Sequence, residues 1–322
     1  VVRDRRENTM MKDLLRTADL APEDLEYLLA FAEELKLDHR IDHKLLRGET
    51  VVLYFATPST RTRLSFETAV ARMGGTPVIV GPAELQTGRN ETIADTARVI
   101  SEYAAAVVIR TPDDDEVRTF AKNASVPVIN AMTHGHHPCQ SIADLLSVRE
   151  LYGELTGLKV AYLGDGNNVA HSLLEGAALA GMDVSVATPP GYAPSPDVVE
   201  RARRLAAASG ARVEVTTDPH AAVKAADFVY TDAWISVGDP ESERSERQYA
   251  FAPYRVTAEL FAEASPDARF MHCLPARRAD EVATDVIDGP RSIVFRQAEN
   301  RLPTAQALLH GLVRGRLTGS GC

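Results

Sequence analysis

Two arginines and three hydroxyls crowd one short stretch, Pro58-Ser59-Thr60-Arg61-Thr62-Arg63. An apolar run at 51–55 precedes it and reads as a buried strand, while 59–73 reads as a helix stopped by Gly74-Gly75. Pro58 breaks the strand, and Ser59 is placed to cap the helix. Backbone N–H groups, hydroxyls and guanidiniums at a helix start make an anion site, and phosphate suits it. The helix dipole contributes about 0.3–1 kcal/mol. Each charge-assisted bond from arginine contributes more, about 1.5–3 kcal/mol. Capping explains Ser59 but not the alternation of threonine and arginine.

Two later loops read as further donors. Arg110 closes the apolar run 104–109, where a charge needs a reason. His134-Gly135-His136-His137-Pro138-Cys139-Gln140 follows an apolar run at 126–129 and opens a long helix. His137 and Gln140 are three apart across Pro138, so both can face one crevice at that helix start. A metal site from His134, His136, His137 and Cys139 is the rival reading. It lacks a matching partner set at ligand spacing elsewhere in the chain.

The second half offers a different chemistry. Gly164-Asp165-Gly166-Asn167-Asn168 follows a strand and opens a helix, but no third glycine completes a dinucleotide fingerprint. That leaves a nucleotide-dependent oxidoreductase resting on two glycines. Paired asparagines suit a neutral or zwitterionic ligand, because each amide both donates and accepts. Asp232, after the run 228–230, can hold an ammonium, and Ser236 with the N–H groups that follow can hold a carboxylate. The charged segment 239–247 reads as a closing loop. Cys273 lies at another strand end and Arg301 near the last helix. Alone, a thiol such as Cys273 reads as inert, since no base and orienting group are spelled out around it.

These loops need a scaffold that repeats strand, loop and helix. Strands are expected at 51–55, 77–80, 105–109 and 126–129, then at 158–163, 184–187, 213–215, 228–230, 270–273 and 293–295. A terminal helix is expected over 305–316. The alternation predicts an α/β protein of two doubly wound parallel-sheet domains, with the active site in the cleft between them. The expected division is 1–145, with the helix 303–318 packing back on it, and 146–302. A length of 322 residues allows two domains. The net charge of −10 makes nucleic acid or an anionic membrane a poor partner. Cys139, Cys273 and Cys322 are too scattered for a disulfide framework and suit a reducing cytoplasm. No apolar run spans a bilayer, and the leading VVRDRRENTMMKDLL lacks the apolar core of a signal peptide.

Taken in order, Ser-Thr-Arg-Thr-Arg, His-Pro-Cys-Gln, Asp-Gly-Asn-Asn, Asp-x-x-x-Ser-x-Gly and His-Cys-Leu-Pro resemble the aspartate/ornithine carbamoyltransferases, over about residues 12–312. His-Cys-Leu-Pro resembles the ornithine branch; the aspartate branch would show His-Pro-Leu-Pro. The resemblance implies carbamoyl transfer from carbamoyl phosphate to the side-chain amine of L-ornithine, giving L-citrulline and phosphate in arginine metabolism. It implies that Ser59, Thr60, Arg61 and Thr62 grip the phosphate, and that Arg110, His137 and Gln140 bind the carbamoyl end. Cys273, Leu274 and Arg301 would complete that site, with Arg61, Arg110, His137 and Cys273 as its catalytic set. Asn168, Asp232, Ser236 and Val237 would hold the amino acid. Gln86 would reach a neighbouring subunit's site in a homotrimer. No metal and no organic cofactor are implied. The family's acidic residue and lysine before the first motif are Ala56 and Thr57 here, and its methionine after the serine is Val237. Alternatives of the same origin are a transferase acting on lysine, an acylated ornithine or putrescine, and a non-catalytic binding paralogue.

Overall fold

The computed structural model describes residues 10–86, 90–235, 242 and 244–320. By packing they form two units: one holds the residues up to His134 together with those from Leu302 onward, the other is Gly135–Arg301.

The first unit runs α1 (Pro22–Leu37), β1 (Thr50–Phe55), α2 (Arg61–Arg72), β2 (Thr76–Val80), α3 (Ile93–Ser101), β3 (Ala106–Arg110), α4 (Asp114–Asn123) and β4 (Val128–Met132). All four strands are parallel, in the order β2-β1-β3-β4. β1 and β3 are buried almost throughout, which is why they read as unbroken apolar runs rather than as alternating ones. One face packs Val52, Tyr54, Val107 and Ile109 against Phe120 and Val117. The strand order reverses between β1 and β3, so the loops after those two strands open a crevice at their carboxyl ends.

The second unit runs α5 (Pro138–Tyr152), β5 (Lys159–Leu163), α6 (Asn168–Leu179), β6 (Asp183–Ala187), α7 (Pro196–Ser209), β7 (Val213–Thr216), α8 (Pro219–Val223) and β8 (Phe228–Thr231). It continues with α9 (Arg244–Phe251), α10 (Ala258–Phe261), β9 (Arg269–His272), α11 (Thr284–Ile287) and α12 (Val294–Val313), the last of which continues past Arg301. Its five strands are parallel in the order β7-β6-β5-β8-β9, and the reversal falls between β5 and β8.

Two expectations need correction. Residues 293–295 form no strand. Arg291 and Ile293 exchange backbone bonds with Phe270 on β9 (2.9 Å each), and the chain turns helical at Val294. The signal was hidden because the inward face of this helix is polar: Gln297, Asn300 and Arg301 are buried while Phe295 is 73% exposed. The charged stretch 239–247 is also not all loop, since Arg244–Arg247 open α9; of the rest, only Ser242 is among the described residues. No described helix is long and apolar enough to cross a membrane.

Candidate active site

In the first unit the donors gather at the reversal between β1 and β3. The pairing of β1 with β3 sets Phe55 beside Arg110, and the Ala56 N–H donates to the Arg110 carbonyl at 2.8 Å. Arg110 is 9% exposed, and its Nε donates to Thr57 Oγ1 at 3.1 Å. That bond ties the guanidinium to the loop leading into α2. The cap of α2 is Thr60, not Ser59, and no cap side chain takes its first N–H groups. Thr62 is buried, Ser59 and Arg61 are half-buried and Thr60 is exposed. Arg63 parts from the cluster: it is exposed and pairs with Glu67 at 2.6 Å. The stretch therefore contributes one guanidinium from α2, not two. Gln86 is exposed, and residues 87–89 lie outside the described residues.

In the second unit the corresponding reversal lies between β5 and β8, and the loops after both strands meet there. Asn167 caps α6, its Oδ1 accepting from Val169 N (2.9 Å) and Ala170 N (3.2 Å). Its Nδ2 donates to Asp232 Oδ2 at 3.0 Å. Asp232 Oδ1 accepts from the Cys273 thiol at 2.9 Å and from Ala233 N at 2.8 Å. Asn168 is the first residue of α6, half-buried beside this group. The close turn needs Gly166, where a Cβ would lie 2.3 Å from Pro194 N. Ser236 and Val237 lie outside the described residues.

His137 caps α5 and is buried, its N–H donating to Ser172 Oγ at 2.7 Å. Gln140, one turn in, accepts from Arg301 through Oε1, and Arg301 is 3% exposed. Leu274 adopts φ +58°, costly for a residue with a Cβ. Its N–H donates to His272 Nδ1 at 2.8 Å, which leaves the proton on Nε2, 3.3 Å from Glu281. His272, Glu281, Asn167 and Thr57 are the supporting residues that sequence reasoning passed over. Asn167, as half of a pair, and His272, as the first residue of His-Cys-Leu-Pro, carried a signal; Thr57 stood out only as a departure from the family pattern, and Glu281 carried none.

The rival metal reading fares differently. Burial pushes the Cys139 thiol up to about 12, so it is a neutral, inert group. Among the described residues, the three possible ligands whose atoms lie within 4.8 Å of one another are Asp232, His272 and Cys273. Both ring nitrogens of that histidine are already engaged by Leu274 and Glu281.

With two parallel-sheet units, each carrying polar groups at its topological reversal, the fold defines a two-lobed α/β protein. The chain belongs to the aspartate/ornithine carbamoyltransferase family. The family's carbamoyl-phosphate-binding domain matches residues 12–150, and its aspartate/ornithine-binding domain matches 156–312. By packing, by contrast, α5 groups with the second unit. A Bacillus subtilis (strain 168) protein named ornithine carbamoyltransferase is 48% identical over 311 residues, covering 97% of each chain. A Pyrococcus abyssi protein of the same name is also 48% identical, over 96% of this chain and 98% of its own. The solved ornithine carbamoyltransferase from Pyrococcus furiosus superposes with a TM-score of 0.89 at 47% identity, over 93% of this chain and 96% of that one.

Proposed function

We propose that this chain transfers the carbamoyl group of carbamoyl phosphate to the side-chain amine of L-ornithine, giving L-citrulline and phosphate. The observation that carries the reading is the matching of donor sets to reversal points. Arg110 is bonded to Thr57 at one, and Asp232 to Asn167 and Cys273 at the other. The near-full-length identity to proteins named for this reaction supports it.

In this reading Ser59, Thr60, Arg61 and Thr62 take the phosphate at the start of α2, where the N–H groups carry no side-chain cap. Arg110, His137, Gln140, Cys273, Leu274 and Arg301 are assigned to the carbamoyl end. Asp232 holds the α-ammonium, while Asn168, Ser236 and Val237 hold the rest of the α-groups. The neutral amine attacks the carbonyl carbon, and negative charge grows on the carbonyl oxygen. Arginine and hydroxyl donors set in place beforehand stabilise that charge without reorganising. Phosphate leaves with the electrons of the broken C–O bond, and the amine's proton passes to solvent or to the phosphate. We assign Gln86 to the site of a neighbouring copy in a homotrimer, which its exposure in its own chain supports. We place the enzyme in the cytoplasm, which its scattered cysteines suit.

Incubation with carbamoyl phosphate and each of ornithine, lysine, putrescine and aspartate tests the reading. Ureido product and phosphate should appear in equal amounts with ornithine. Product with putrescine alone would overturn the assignment of Asp232, and silence with every amine would leave a binding paralogue.

Thr57 gives a finer test. Thr57→Val keeps the shape but deletes the acceptor of the Arg110 Nε–H, a bond of about 1.5–3 kcal/mol. Turnover should drop roughly tenfold or more, and Thr57→Ser should restore most of it. Steady-state kinetics on the three proteins read this directly. Equal rates in all three would remove Thr57 from the picture.

A further inference from the structure

The carboxylate of Asp144 lies on α5, 1% exposed. Its Oδ1 accepts from Gln140 Nε2 at 2.8 Å and from Gln297 Nε2 at 2.9 Å, and its Oδ2 accepts from Tyr230 OH at 2.9 Å. These donors come from three different elements: α5 itself, α12 and β8.

An ionised carboxylate can only accept hydrogen bonds, whereas an amide has one accepting and one donating end. Two amides that meet such a carboxylate must both turn their NH2 groups toward it. Their carbonyl oxygens then face outward. The Gln140 oxygen accepts from Arg301, and the Gln297 oxygen accepts from the N–H of His272, the residue before Cys273, at 2.9 Å. One buried anion thus fixes the polarity of two amides, and through them a guanidinium and a strand end.

We propose that Asp144 is a positioning residue for the carbamoyl-transfer site, holding Arg301 through Gln140 and the His272–Cys273 strand end through Gln297. The proposal rests on the functional reading above for what Arg301 and Cys273 do, and on this geometry alone for how they are held.

Burial pushes Asp144 up to about 6, and the bonds from Gln297, Gln140 and Tyr230, with the nearby Arg301 charge, hold it down from higher values. At neutral pH it is therefore the acceptor that the arrangement needs. Neutralising it removes the cost of a buried charge, so a variant of equal size should still fold. An asparagine of the same shape can still accept from both glutamines through its oxygen and donate its NH2 to Tyr230 OH, a group that also accepts, whereas a leucine offers no acceptor and releases both amides.

The test is Asp144→Leu in the full chain, beside Asp144→Asn and Ser147→Ala. Ser147 lies one turn further along α5 and accepts from Asn300 of α12 at 3.0 Å, so it joins the same two helices without touching either glutamine. For Asp144→Leu we expect kcat to fall ten- to a hundredfold and KM for carbamoyl phosphate to rise, while Asp144→Asn should keep kcat within about threefold of the wild type. KM for ornithine should stay within about twofold in both, and the thermal midpoint of Asp144→Asn within a few degrees. Ser147→Ala should lower the midpoint and leave kcat alone. Unchanged kcat in Asp144→Leu, or a loss of tenfold or more in Asp144→Asn or Ser147→Ala, would overturn the proposal. If the wild-type chain makes no citrulline, the transferase reading fails, but the crystal structure of Asp144→Leu still decides this point. A turned Gln140 amide with a displaced Arg301 upholds it, and an unmoved pair refutes it.

Discussion

Arg110→Ala should lose at least a hundredfold in turnover while the protein still folds. The side chain is 9% exposed, and Thr57 Oγ1 holds one of the five guanidinium N–H groups. Its backbone is fixed twice over, by the pairing of β3 with β1 and by the bond from Ala56 N–H. A donor held this firmly needs no reorganisation when charge develops on a carbonyl oxygen. In a site screened from water such a donor is worth far more than in bulk solvent. Loss of one donor of that kind costs about 10²–10³ in rate. Arg110→Lys should recover little, because an ammonium cannot fill the planar fork that a guanidinium presents to Thr57 and to substrate together. Citrulline formation under substrate saturation measures the effect, with thermal unfolding as the check on the fold. Turnover near the wild-type rate in the alanine variant would reject the role.

What the sequence made legible follows from what each segment buries. β1, β3 and β5 are covered on both faces, so they appear as continuous apolar runs between turn residues, and nearly every strand lay where those runs stood. The first turns of α12 escaped because their buried face carries Gln297, Asn300 and Arg301, which no apolar periodicity marks. The site divides in the same way. Residues in local motifs, such as Arg110 at a strand end or Asp232 after β8, were readable because a charge there breaks an apolar run. Their supports were not, because Thr57, Gln297 and Asp144 act through partners far away in the chain. Asp144 meets Gln297 across 153 positions, and Thr57 meets Arg110 across 53. Spacing carries no trace of such a meeting. Arg63 shows the converse: its type and place matched the anion cradle, yet a glutamate four residues along the same helix claims it.

Asp232→Asn should abolish the enzyme's ability to tell ornithine from 5-aminopentanoate, the same molecule without its α-amino group. Asp232 stands at the reversal between β5 and β8 and receives three donors: the Asn167 amide, the Cys273 thiol and the Ala233 N–H. All three are neutral, so they orient the carboxylate without cancelling its charge, and the full charge remains for an ammonium. Deleting one partner of such a charge pair costs about 2–5 kcal/mol, roughly 30-fold to several thousandfold in kcat/KM for ornithine. The asparagine also places an NH2 group where a donor already points, so the orientation suffers along with the charge. The amino acid lacking the α-ammonium never drew on that charge, and its slow rate should change far less. The ratio of kcat/KM for the two acceptors should therefore fall toward unity, while KM for carbamoyl phosphate shifts only a few fold. A ratio that stays at its wild-type value would show that the ammonium is bound elsewhere, and that Asp232 serves only to hold Cys273 and Asn167 together.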